Sequence, residues 1–379
     1  MTGKTSSRLP GFHRLDLGRR REEIESRLAP GGLGEGLSDG LADAMVENAV
    51  GVFGVPLGVA TNFTVNGEDV LVPMAIEEPS VIAAASNAAR MVRGGGGFRA
   101  SADPPHTVVQ IEVLEPGPDA AQRVLEHREA IVDAANATQP ELVALGGGVV
   151  DVIAREAVGS ARRLVVHLVV DCIDAMGANM VNTMAEEVSG MVAAAAGGRE
   201  GLRILTNLAD RRLARAMCEV PFDALARDGF EGCGVAGAVE AAALFAAEDP
   251  YRAATHNKGI FNGVDAVLLA CGNDWRAVEA GGHAWAARNG SYGSLTTWRV
   301  EGEVLRGEIE MPMAVGVVGG AAKIHPTARA CIRLAGIESG VDLARLAVCA
   351  GLATNLAALA ALGSEGIQRG HMRLHERKG

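Results

Sequence analysis

Aromatic residues are few in this chain: 3 Trp, 2 Tyr and 8 Phe among 379 residues. Without them the core must be filled by Ala, Val, Leu and Met, and such small side chains suit helices that approach closely. Positive charge is also scarce. With 35 basic against 46 acidic residues the formal net charge is -11. That excludes the broad basic surface needed to bind nucleic-acid phosphates, although local cations can still clamp an anionic substrate. No uninterrupted apolar run approaches the ~18–20 residues that span a bilayer. The opening stretch, MTGKTSSRLPGFHRLDLGRR, lacks the apolar centre of a signal peptide. The expectation is a cytoplasmic protein that engages neither membrane nor nucleic acid. The six cysteines (Cys172, Cys218, Cys233, Cys271, Cys331, Cys349) form no CxxC pair, and most lie in apolar segments. They read as free thiols, with no metal expected. A GxGxxG fingerprint is missing too, so a Rossmann site is not supported.

What is present points to one large or two ordinary domains. Residues 12–48 read as polar helix interrupted by glycine loops such as GGLGEG (31–36). Val70 to Ala75 reads as a strand, and Pro79 suits a helix start because its missing N–H is an orphan there. A small-residue helix follows over 81–92. Alternation in HTVVQIEVLE (106–115) predicts a strand with Val109, Ile111 and Val113 on one face. A helix over 120–137, a strand over 164–172, a helix over 174–196 and a strand over 201–208 come next. Strands alternating with helices make a compact α/β unit across roughly 104–210, inserted into more helical surroundings. From Arg211 on, helical patterns dominate, apart from paired strands in 294–315 that turn near Glu301 and Gly302. The fold class is therefore α+β.

The stretch RAATHNKGIFNGVDAVLLACGNDWRAVEAGGH (252–283) carries the strongest chemical signal. It sets Lys258, Asn262 and Asp274 around a largely apolar helical run. A lysine and a carboxylate there are costly unless they face each other or a ligand. Enzymes use such pairs to hold charge where a reaction needs it. A solvated lysine, and an aspartate capping the helix that starts near Trp275, are the plainer readings of the same residues.

Seven segments together resemble the hydroxymethylglutaryl-coenzyme A (HMG-CoA) reductase family, its soluble class II branch in particular. They are ENAVG (47–51), EEPSVIAAASNAA (77–89), DAMGANMVNTMAE (174–186), RAATHNKG (252–259), GNDWRAVEAG (272–281), GVVGGAA (316–322) and EGIQRGHM (365–372). The resemblance implies interconversion of HMG-CoA with mevalonate plus CoA by two hydride transfers from a nicotinamide dinucleotide. It implies a mostly helical large domain (1–103 and 211–367), an inserted ferredoxin-like cofactor domain (104–210), and the start of a C-terminal flap at 368–379, apparently truncated. It also implies a homo-oligomer, dimeric or hexameric, with active sites at the subunit interface and ENAVG at the contact.

Reducing a thioester to an alcohol needs a donor for the developing oxyanion, an acid for the departing thiolate, a proton for the second reduction, and a dinucleotide close to the carbonyl carbon. By resemblance Lys258 serves the oxyanion, Glu78 is the acid, Asp274 pairs Lys258 and biases Glu78 towards its protonated form, and His371 protonates the thiolate. Asn262, a turn beyond Lys258, is expected beside it. Arg252 suits a bidentate grip on the substrate's terminal carboxylate, with Ser80 and Asn355 near that moiety and Arg14 towards CoA. Asp174, Met176, Gly177 and Asn179 match the family's dinucleotide loop at a strand-to-helix junction. Gly319 and Gly320 offer close backbone approach. Gln139 stands where NAD-preferring, degradative members place an aspartate. The similarity leans to NAD(H) and catabolism; the uncharged Gln139 leaves NADP(H) and biosynthesis open, as is a CoA-thioester-binding homologue with impaired catalysis.

Overall fold

A computed structural model describes residues 6–28, 32–34, 36–157, 159, 162–227 and 229–364. The chain opens with a 3-10 turn (Phe12–Arg14), α1 (Leu17–Glu25) and α2 (Asp39–Met45). The hairpin β1 (Leu57–Val65) and β2 (Glu68–Ala75), α3 (Val81–Arg93) and β3 (Arg99–Ala102) follow. A nested unit then runs β4 (His106–Leu114), α4 (Ala120–Glu126), α5 (Arg128–Ala137), α6 (Pro140–Ala144), β5 (Gly148–Glu156), β6 (Arg163–Asp171), α7 (Ala178–Ala196) and β7 (Arg199–Leu205). The chain returns through β8 (Leu213–Pro221), α8 (Phe222–Leu225), α9 (Gly232–Glu248), α10 (Pro250–Ala270) and α11 (Trp275–Ala286). It continues with β9 (Thr296–Glu301), β10 (Val304–Pro312), α12 (Gly320–Ile324), α13 (Pro326–Leu334) and α14 (Gly340–Leu362).

The nested unit is an antiparallel sheet in the order β5-β6-β4-β7, the ferredoxin-like arrangement. Its strands alternate, so Val109, Ile111, Val113, Val166 and Leu168 fall on one face and close against α4, α5 and α7. That core takes its residues from 109–196 alone. The second core draws on the other segments, which meet in the sheet β3-β8-β10-β9, the β1–β2 hairpin and the helices around them. The fold is thus α+β with an inserted small unit, as expected from the sequence.

Four local expectations change. β8 is a strand where helix was expected: its partners are β3 and β10, and its inward side chains are small. α3 starts at Val81 rather than at Pro79, with Ser80 at its N-cap. The helix expected over 174–196 starts at Ala178, because Ile173 and Gly177 take positive φ values of 53° and 95°. Finally, α14 is long and apolar enough to cross a membrane, which the sequence reading had not anticipated. Here it is a core helix, with 83% of its apolar window buried.

α14 packs along α10, and glycine sets the distance. A Cβ on Gly263 would lie 2.4 Å from the Ala350 carbonyl oxygen, and one on Gly351 would lie 2.8 Å from Val264 Cγ2. The two backbones can approach this closely only without those side chains. The result fixes α10, which carries Lys258, against a helix that is mostly buried.

Candidate active site

α10 starts cleanly because Asp249 accepts a bond from Arg252 N at 2.7 Å and Pro250 occupies the first turn. Lys258 lies two turns on. Across from it, the connection from β2 to α3 presents Glu78, and Lys258 Nζ donates to Glu78 Oε2 at 2.6 Å. The lysine side chain is 61% exposed and the glutamate 33%. A pair this solvated adds little to stability, so folding does not explain it. Beside it Ser80 holds φ 75°, a left-handed conformation that costs a non-glycine residue about 1–3 kcal/mol, and its hydroxyl makes no capping bond. Asn262 follows one turn after Lys258, half-buried, and its side chain makes no hydrogen bond to another described residue.

Asp274 does not bond Lys258 within the chain. Its Oδ1 accepts from Arg276 N and Ala277 N and pairs with the Arg276 guanidinium at 3.2 Å. The capping reading therefore holds, and the direct ion pair expected from the sequence is corrected. Both carboxylates nevertheless line one cavity of ≈ 2410 Å³, which also takes in Ser80, Met176, Gly177, Asn179, Gly319 and Gly320. Single small-ligand pockets span about 300–1,000 Å³, so this volume exceeds what one small ligand needs.

The dinucleotide-loop residues divide in two. Met176, Gly177 and Asn179 line the cavity at the start of α7, where the N–H groups of Ala178, Asn179 and Met180 have no partner among the described residues. A helix of 19 residues offering free donors to a cavity suits a pyrophosphate. Gly319 and Gly320 face them with positive φ, and nothing lies within 4 Å of a Cβ added to either. These groups fit a dinucleotide. Asp174 is different: its Oδ1 accepts from Gly340 N at 2.9 Å, and its carbonyl accepts from Val317 N and Val318 N. It holds the loop together and is not a cavity wall.

Other expected residues lie elsewhere. Asn355 is 1% exposed. Its Oδ1 accepts from Trp298 Nε1 (2.7 Å) and Thr296 Oγ1 (3.0 Å), and its Nδ2 faces His256 Nε2 at 3.1 Å. It ties α14 to β9 and α10 and is closed to substrate, which corrects its assignment. Burial first, and the Arg252 charge second, hold the His256 ring down to about 3, so it is neutral. Arg252 itself has no carboxylate within 4 Å among the described residues, a free cation for an anionic group; burial lowers its pKa. Arg14 is exposed, while its neighbours Phe12 and His13 reach the cavity. Gln139 caps the start of α6, away from the cavity-lining residues. His371 lies outside the described residues.

Some contributors escaped the sequence reading. Arg8, Arg20, Arg21 and Arg90 line the end of the cavity nearest the N-terminal segment; the run GRRR (18–21) was the available signal. That segment is anchored by Asp69, which accepts from Arg93 Nη2 (2.7 Å), Ser7 N (3.0 Å) and Ser6 Oγ (2.9 Å). Burial acts to raise the Asp69 pKa, but these donors outweigh it and hold the carboxyl well below its usual range. Asn273 Oδ1 accepts from Gly316 N at 2.9 Å, linking the glycine loop to the start of α11. No three His, Cys, Asp or Glu side chains among the described residues form a metal-ligand group.

A family model described as hydroxymethylglutaryl-coenzyme A reductase matches residues 19–376. The chain belongs to the HMG-CoA reductase family. It is 48% identical over 382 residues to the 3-hydroxy-3-methylglutaryl-coenzyme A reductase of Archaeoglobus fulgidus, an alignment covering 98% of this chain and 86% of that protein. A probable HMG-CoA reductase of Borreliella burgdorferi is 32% identical over 336 residues, covering 88% and 77%. Among solved structures, the class II HMG-CoA reductase of Streptococcus pneumoniae bound to NADPH in open conformations superposes with a TM-score of 0.91. It is 38% identical, and the match covers 94% of this chain and 99% of that one. The chain is accordingly a class II HMG-CoA reductase family member, an NAD(P)-dependent oxidoreductase acting on a CoA thioester.

Proposed function

We propose that this HMG-CoA reductase interconverts HMG-CoA with mevalonate and free CoA in two successive reductions, with Lys258 and Glu78 at the reacting carbonyl. The 2.6 Å contact between their charged ends, with Glu78 on the wall of the large cavity, carries this reading. A nicotinamide dinucleotide bound in this cavity would supply the hydride for each reduction. As the thioester carbonyl becomes an oxyanion, the Lys258 ammonium neutralises it, and Glu78 is within reach to deliver a proton through the same contact. Arg252, with no partner carboxylate among the described residues, suits the substrate's terminal carboxylate, and the Ser80 hydroxyl and the Asn262 amide are further candidate donors to the substrate. Asp274, held on the helix cap, places a second carboxylate on the wall of the same cavity. His371 is proposed as the acid that protonates the CoA thiolate.

The start of α7 and the Gly319–Gly320 turn would hold the pyrophosphate of the dinucleotide. The nested unit over 104–210 acts as the cofactor domain, the rest of the chain as the large domain. A homo-oligomer with shared active sites is proposed as well, supported by Val50 and Phe53, which stand almost fully exposed in and beside ENAVG. The overall resemblance to degradative members supports NAD(H) and catabolism. An alternative reading, NADP(H) and biosynthesis, draws on the NADPH-bound relative.

Absorbance of reduced nicotinamide, followed with HMG-CoA and separately with free mevaldehyde, tests the reaction, and running it with NADH and NADPH side by side tests the cofactor. Turnover of both substrates is expected. Binding of HMG-CoA without turnover would replace this reading by that of a CoA-thioester-binding homologue. In His371→Ala, reduction of mevaldehyde should persist while HMG-CoA reduction collapses; equal loss of both would refute the thiolate role.

A further inference from the structure

Arg212 sits where the chain leaves the nested unit, one residue before β8. It is 4% exposed, yet no carboxylate lies within salt-bridge distance of its guanidinium among the described residues. The fork is used on two backbone carbonyls instead: Nη1 donates to Ala175 O at 3.2 Å, and Nη2 donates to Val315 O. These carbonyls belong to the two loops that face each other across the proposed dinucleotide site. The loops are stitched further by Val317 N and Val318 N, both donating to Asp174 O, and by a bridge between Ala175 and Val318. Gly316 lets them touch, since a Cβ there would lie 2.5 Å from Met176 N. Arg212's own carbonyl accepts from Met313 N at 2.9 Å. Its backbone and side chain together therefore fix the second loop relative to the first.

A buried cation is an expensive way to join two neutral carbonyls. The planar fork with several donors is what makes the geometry rigid, because it fixes direction as well as distance. Just beyond the seam lie Met176–Asn179 on one side and Gly319–Gly320 on the other. We propose that Arg212 is a positioning residue for the dinucleotide: by bridging Ala175 and Val315 it sets the separation of the two turns between which the pyrophosphate rests. The inference rests on the placement of the dinucleotide proposed above. Preorganised donors bind without first having to be ordered, so loosening the seam should weaken dinucleotide binding and leave binding of the acyl substrate alone.

Calorimetric titration of NADPH and NADH, and separately of HMG-CoA, into the full chain tests this. Arg212→Lys keeps the buried charge and the aliphatic stem but loses the fork, and circular dichroism checks its fold. Its dinucleotide Kd should rise roughly tenfold, with the HMG-CoA Kd within about twofold of wild type. At saturating dinucleotide, kcat should fall less than KM rises. Wild-type dinucleotide affinity in Arg212→Lys, or equal weakening of both ligands, overturns the inference. Gly320→Asp, which puts a negative charge where the pyrophosphate is proposed to lie, separates the two layers of argument. If Gly320→Asp weakens dinucleotide binding while Arg212→Lys does not, only the role of Arg212 falls. Undiminished binding by Gly320→Asp overturns the placement and this inference with it. Hydrogen exchange on the unaltered protein gives a readout that no folding defect can confuse. Dinucleotide should protect the amides of 174–180 and 315–320 together, and protection of one loop without the other overturns the coupling.

Discussion

At the scale of single residues, the solvated Lys258–Glu78 contact separates chemistry from stability. Lys258→Ala should lower kcat by a factor of about 10²–10³ or more in both half-reactions, the range seen when an oxyanion donor is removed. The urea midpoint should barely change, because an exposed pair is worth less than about 1 kcal/mol. Parallel kinetic and denaturation series would check both halves, and retained turnover would count against the oxyanion role. Asp274 allows a finer division. Asn also caps helices, so Asp274→Asn should keep α11 intact while removing the charge; Asp274→Ala should in addition lose about 1 kcal/mol of stability. A drop in kcat already present in Asp274→Asn would assign the loss to charge. Asp265, also on α10, gives a pH signature. Its Oδ1 is buried without a partner, and burial, then the facing Glu279 carboxylate, push its pKa up. The folded state therefore holds a proton that the unfolded chain releases above the usual carboxylate range, and the stability this confers is lost as pH rises through the folded pKa. Asp265→Asn should raise the melting temperature near about pH 8–9 more than near about pH 4. An equal shift at both would argue against that proton.

At the scale of elements, α10 carries Lys258, and α14 positions α10. Gly263→Ala would drive a Cβ towards the Ala350 carbonyl oxygen, a backbone atom that cannot rotate away. Destabilisation of about 1–3 kcal/mol is expected, as for other overpacked contacts, together with a lower kcat as Lys258 moves relative to Glu78. Chemical denaturation and turnover measured on the same preparations would check this; unchanged values in both would show that the helices can separate freely. This contact also shows what the sequence made legible. Scarcity of aromatics pointed to closely packed helices, and α10 with α14 is that packing. The alternation of β4 and the apolar run of β6 were readable because one face of that sheet is fully buried. β8 was not: in LARAMCEVP alanines fill inward positions, and alanine is as much at home in a helix. Nor was the late start of α7, since a positive φ at Ile173 leaves no mark in the pattern. The site divides similarly. Motif matches singled out Glu78, Lys258 and Asp274, of which Glu78 and Lys258 meet, but the interior position of Asn355 depends on Trp298 and Thr296, which only the pairing of β9 brings near. Arg212 carried no signal, because an arginine adjacent to another, Arg211, reads as surface.

At the scale of the whole molecule, two separate cores share one cavity. A ligand that binds only the folded state adds stability by mass action, about 2.7 kcal/mol at a hundredfold excess over Kd. Dinucleotide, if it rests on α7, should protect the nested unit against unfolding more than it protects β1–β3 and α3. HMG-CoA should do the reverse. Hydrogen exchange resolved by peptide would report this, and identical protection patterns from the two ligands would contradict the division of the cavity between them.

The contiguity of the nested unit also bears on synthesis. Residues 106–205 contain every strand and helix of their own sheet, so this part can close while the ribosome is still making α10. The β1–β2 hairpin and α3 emerge earlier but must wait, their apolar faces uncovered, until residues 340–362 arrive to complete their core. The interval of greatest exposure to chaperones and to aggregation thus falls on the first elements made, and a pause in translation before α14 would lengthen it.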